Sequence, residues 1–110
     1  MNKLVETDNL KEFELKYSCF SKATNGFWEY VNSWKVDEPG EFYEAFSTFD
    51  ISKILLEKGK ISLVINYRFD QPIEYVQTTL NVIFMEKFFA EYRLLQKLNG
   101  EIMDDGLSFK

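Results

Sequence analysis

The sequence predicts an α+β fold in a single domain, residues 1–110: a small antiparallel sheet packed against a long C-terminal helix and one or two shorter helices. Three patterns carry this expectation. Ile61, Leu63, Ile65, Tyr67 and Phe69 alternate with Ser62, Val64, Asn66, Arg68 and Asp70, the period of a strand. From Val82 to Asn99, Phe84, Phe88, Tyr92 and Leu95 fall on one helical stripe that Met85, Phe89 and Leu98 widen, and Gly100 stops it. After the break at Pro39 and Gly40, Phe42, Ala45, Phe46 and Phe49 share a helical face.

The remaining elements follow in chain order. Phe13, Leu15, Tyr17 and Cys19 alternate with Glu12, Glu14, Lys16 and Ser18, which predicts a strand with one wet face. Asn25 and Gly26 mark a turn. Residues 27–36 read two ways: Phe27, Tyr30, Val31 and Trp34 have helical spacing, and Trp28, Tyr30, Trp34 and Val36 suit a strand nearly as well. Asp50 can cap a second short helix from Ile51 to Lys58, closed by Gly59. Asp70, Gln71 and Pro72 supply a turn into Ile73–Leu80, a run rich in Tyr, Val and Thr that predicts antiparallel pairing with the preceding strand. A helix with Pro72 in its first turn competes for residues 70–80. The tail from Glu101 to Lys110 is a final hairpin or a loose end.

Composition excludes most catalytic chemistry. Histidine is absent, so nucleophilic triads lack their usual base. Cys19 is the only cysteine, which rules out a disulfide within the chain and leaves one candidate thiolate ligand for zinc. It reads as a small buried hydrophobe. No carboxylate run has calcium-loop spacing, and the five glycines stand apart, so neither metal nor cofactor is expected. Paired acids such as Asp37 with Glu38, Glu41 with Glu44 and Asp104 with Asp105 are the one catalytic reagent in supply, and they read first as solvated surface. With a net charge of −5 and no basic block, direct binding to nucleic acid or an anionic membrane is disfavoured. No apolar leader or membrane-length apolar run is present, which makes a cytoplasmic location the simplest expectation.

The net charge lies in one place. Residues 36–52 hold Asp37, Glu38, Glu41, Glu44 and Asp50 without a lysine or arginine, and the other 13 acids balance the 13 bases. Phe42, Tyr43, Phe46 and Phe49 share that segment. An acidic field beside large rings can steer a basic partner, raising encounter rates by roughly 10 to 1,000 fold. The expected partner-binding set is therefore Asp37, Glu38, Glu41, Phe42, Tyr43, Glu44 and Asp50, with Trp28 and Trp34 as further anchors. The bland alternative puts Phe42, Phe46 and Phe49 in the core and the acids at a helix start, where the dipole favours them. The functional expectation is a non-enzymatic acidic binder, an immunity or inhibitor protein covering the basic surface of a toxin or nuclease-like enzyme. A small-ligand or carboxylate-dependent enzyme domain, with Tyr17, Tyr67, Tyr75 and Tyr92 lining a pocket, is the alternative.

Overall fold

The computed structural model describes residues 5–110, so the first four positions of the amino-terminal stretch lie outside the described residues. Three helices come first: α1 (Asp8–Tyr17), α2 (Cys19–Asp37) and α3 (Pro39–Phe46). Four strands follow, β1 (Leu55–Asn66), β2 (Ile73–Phe84), β3 (Lys87–Gln96) and β4 (Ile102–Phe109), in a simple antiparallel meander of order β1-β2-β3-β4.

Single residues set the breaks between helices. Ser18 adopts the left-handed conformation (φ 50°, ψ 52°), ends α1 with its N–H on the Glu14 carbonyl and lets α2 begin in a new direction. Glu38 precedes a proline and leaves the helical region (φ −138°, ψ 66°), which ends α2, and Pro39 opens α3 with no N–H to leave unsatisfied. Within α2, Cys19, Ala23, Phe27 and Val31 recur every fourth residue and form one buried stripe.

That stripe lies on one face of the sheet. Leu80, Val82 and Phe84 of β2 and Ala90, Tyr92 and Leu94 of β3 alternate inward to meet it, and Phe42, Phe46 and Ile54 complete the core. Aromatic rings dominate the contact. Phe27 and Tyr30 meet Tyr92 edge-on at 5.8 and 6.1 Å, and Phe46 lies 5.1 Å from Phe89 and 5.6 Å from Phe84.

The broad α+β class stands, but the arrangement expected within it does not. Residues 82–99 form no helix: Phe84 ends β2, Met85 and Glu86 make a two-residue turn, and β3 returns along β2 from Lys87. The apolar residues there are dense enough to satisfy a helical stripe, yet Ala90, Tyr92, Leu94 and Gln96 alternate with Glu91, Arg93 and Leu95, and pairing with β2 exploits that period. Residues 12–19 reverse the error. Their alternation is overridden by helix, with α1 spanning Asp8–Tyr17. Ile51–Lys58 is no helix either, because β1 starts at Leu55 and Gly59 sits in a bulge where a Cβ would meet the Thr79 carbonyl oxygen at 2.8 Å. The two open readings resolve as helix for 27–36 and as strand from Ile73, and the tail becomes β4, paired with β3.

Candidate functional site

Four of the five segment-specific acids gather where α2 hands over to α3. Asp37 ends α2, Glu38 is the non-helical junction residue, and Glu41 and Glu44 occupy α3; all four are exposed. Beside them opens a cleft of about 440 Å³ lined by Tyr30, Ser33 and Trp34 of α2, Phe109 of β4, and the carboxylates of Asp37, Glu38 and Glu41. Trp34 is the hinge of this arrangement. Its ring packs on Phe42 at 5.4 Å, Phe46 at 5.8 Å and Phe109 at 5.9 Å, so the cleft wall is fixed to the core rather than carried on a loop.

The electrostatics are uncompensated locally. The carboxylate of Glu38 beside Glu41, with Glu44 also near, raises the affinity of Glu41 for a proton above that of an ordinary carboxyl. Among the described residues, the ion pairs within 4 Å are Lys97–Glu101 and Lys110–Glu91, and neither uses an acid of the 36–52 segment. Lys35, the nearest base in sequence, donates to the Phe49 carbonyl at 2.6 Å.

Several expected site residues have other duties. Phe42 is fully buried and stacked on Phe46 at 4.6 Å, so it is core and not a partner anchor. Asp50 leaves the acidic group: it accepts bonds from the Ser52 hydroxyl at 2.6 Å and the Ser52 N–H at 3.0 Å, and those bonds, with Lys53 and Lys35 nearby, favour its charged form. Trp28 packs against Phe27 at 5.0 Å on a side of α2 apart from the cleft. Tyr43 is half-exposed against Phe49. The structure thus brings together Asp37, Glu38, Glu41 and Trp34, and adds Tyr30, Ser33 and Phe109, which sequence spacing did not single out. Only a β4 pairing places Phe109 beside residues some 70 positions earlier in the chain.

Three of the four tyrosines of the alternative reading lie apart from one another. Tyr92 is in the core, Tyr67 is exposed near the end of β1, and Tyr75 lies on the sheet face opposite to Val76 and Leu80. Cys19 is buried, and burial pushes its thiol up from the usual range, as suits an inert side chain. A larger cavity of about 550 Å³ lies at the other end of α3, walled by Phe46, Phe84, Phe88 and Phe89 with Lys53, Lys87 and Lys110 at its rim.

These features define a small helix-on-sheet protein with an aromatic, carboxylate-rimmed cleft, and no His, Cys, Asp or Glu group suited to a metal is found among the described residues. No family profile matches the chain, and no solved structure does. Over 112 aligned positions it is 30% identical to Core protein OPG073 of Variola virus, covering 94% of this chain and 87% of that protein. The figures are the same for Core protein OPG073 of Vaccinia virus strain Western Reserve. The chain belongs to the OPG073 core-protein family. Among the described residues, no helix is long and apolar enough to cross a membrane.

Proposed function

We propose that this protein is a non-enzymatic binding component of a viral core, and that it holds a basic segment of a partner protein in the cleft between α2, α3 and β4. The observation that carries the reading is the pairing of three exposed carboxylates, Asp37, Glu38 and Glu41, with the rings of Tyr30, Trp34 and Phe109 in one concave site. A lysine or arginine side chain entering there meets opposite charge at the mouth and aromatic faces within, where each cation–π contact contributes about 0.5 to 2 kcal/mol. The relatives' description as core proteins favours assembly inside a particle over a free cytoplasmic role. It lends no support to the narrower expectation of an immunity or inhibitor protein.

Trp34 gives the test its signal. In a Trp28→Phe background, titrating a lysine- and arginine-rich peptide should change Trp34 fluorescence saturably, and an acidic peptide of equal length should not. Glu38→Lys with Glu41→Lys should slow association at least tenfold while leaving folding stability within about 1 kcal/mol, since both sites are exposed. Equal association by the double variant would remove the cleft from the interface.

A second reading has one observation behind it, the 550 Å³ aromatic cavity lined by Lys53, Lys87 and Lys110 against the single acid Asp50, a net positive lining that suits a small anionic ligand. Thermal shift against a panel of anionic metabolites separates the two, because ligand at this cavity should raise the melting temperature in the Glu38→Lys, Glu41→Lys variant as well.

A further inference from the structure

Among the described residues, the sheet has two open edges, and they are guarded differently. β4 is eight residues long and carries Asp104 and Asp105. β1 is longer, at 12 residues, and its protection is confined to one half. Lys58, Gly59 and Lys60 place two charges and a bulge near its start, the usual devices against strand addition. From Ile61 to Asn66 the edge has no charge, no proline and no irregularity in its pairing with β2.

Apolar side chains are exposed along and just beyond this unguarded half. Leu63 is 60% exposed, Ile65 48%, Tyr67 74% and Phe69 53%. The register pairs Leu63 with Val76 and Ile65 with Glu74, which puts Leu63 and Ile65 on the sheet face that bears the helices. The molecule is also drawn out, 50 × 33 × 23 Å with a radius of gyration of 15.9 Å, against about 13 Å for a compact chain of this length.

We infer that β1 pairs with β1 of a second copy, antiparallel about a two-fold axis at Leu63, joining two four-stranded sheets into one of eight strands. The regular stretch Lys60–Asn66 is centred on Leu63, so its two ends coincide under that axis. In this register Leu63 faces Leu63, Ile61 faces Ile65, Ser62 faces Val64 and Lys60 faces Asn66. Every pair keeps its sheet face, because the two-fold runs perpendicular to the sheet. Shifting the axis to Ile61 would set Leu63 against Gly59 and Ile65 against Glu57, which forfeits the apolar matching. Backbone pairing over Lys60–Asn66, with the flanks of Leu63 and Ile65, covers on the order of 500 Å² per partner, close to the roughly 1,000 Å² in total that a specific interface needs.

Sedimentation of the full chain from about 1 to 100 μM gives the mass, and a species of twice 13.1 kDa is expected. Leu63→Lys should yield the monomer at every concentration with an unchanged circular dichroism spectrum. Crosslinking then reads the register. With a short thiol-reactive linker, Leu63→Cys alone should couple two copies, while Ile61→Cys and Ile65→Cys should couple only when mixed, since each single variant holds its thiols four residues, about 13 Å, apart along the strands. The buried Cys19 supplies an unreactive background. A monomer throughout the range, a dimer that survives Leu63→Lys, or coupling of Ile61→Cys with itself would each overturn the inference. The basic peptide titration of the cleft is independent of all three outcomes.

Discussion

Tyr92 shows how one side chain ties the layers together. Its ring is buried against Phe27 and Tyr30, and its hydroxyl donates to Asp105 Oδ2 at 2.6 Å, linking the core to β4. Burial and the Asp105 carboxylate push the phenol far above its usual range. A folded value raised above the unfolded one contributes stability that is complete below the unfolded value, near 10, and is lost as pH rises beyond it. Unfolding free energy should therefore fall above about pH 10 by roughly 1.4 kcal/mol per pH unit, and Tyr92→Phe should flatten that slope even though it leaves Asp105 without its donor. Denaturant melts from pH 8 to 11 measure both slopes. The same hydroxyl explains a glycine in mid-helix. A Cβ at Gly26 would lie 2.5 Å from Tyr92 Oη, so Gly26→Ala should destabilise by about 1 to 3 kcal/mol, against the gain of about 1 kcal/mol that helix propensity alone predicts. A rise in melting temperature would show that the Tyr92 ring yields easily.

At the scale of elements, the β2–β3 turn is where local chemistry and fold disagree most. Met85 and Glu86 both have positive φ, 54° and 63°, in a two-residue connection that Asn and Gly make without strain. Met85→Asn with Glu86→Gly should stabilise the protein by about 1 to 2 kcal/mol, read as a shift in the urea midpoint at constant slope. This turn also explains why residues 82–99 predict a helix and form strands. No Gly, Asn or Pro interrupts residues 82–98, so the sequence offers no punctuation there, and closely spaced aromatics satisfy helical and strand periods together. The β1–β2 hairpin was legible for the opposite reason: Asp70, Gln71 and Pro72 mark its loop, and Ile61–Phe69 alternates cleanly. In α2 both periods were present, and burial of Phe27 and Val31 on one side decided for helix.

Over the whole molecule, charge and shape are unevenly distributed. The acids of the α2–α3 junction are exposed at one place while the unguarded half of β1 is apolar, so the two proposed contacts fall on two different surfaces. Because the contact proposed at the cleft is with exposed charges, association of a basic peptide should slow about tenfold or more between low salt and about 0.3 M, where screening lengths fall below 10 Å. It should also weaken as pH falls into the carboxylate range, since Glu41, beside Glu38, holds a proton more readily than an isolated acid. Stopped-flow measurement of Trp34 fluorescence across salt and pH tests both; rates that ignore salt would show that the rings, not the charges, govern the encounter.

The amino-acid sequence by itself determined the chemistry on offer: no imidazole, one inert thiol, and a surplus of five carboxylates within 17 residues that also hold four large rings. Those follow from composition and local spacing, which need no knowledge of the fold. Which carboxylates converge, which rings become wall and which become core, and which strand is left open were decided by tertiary structure. Phe42 left the site for the core, Asp50 left it for Ser52, and Phe109 joined it because β4 returns beside α2 through strand pairing. Such long-range pairing is set by the mutual burial of distant segments, and no local period encodes it.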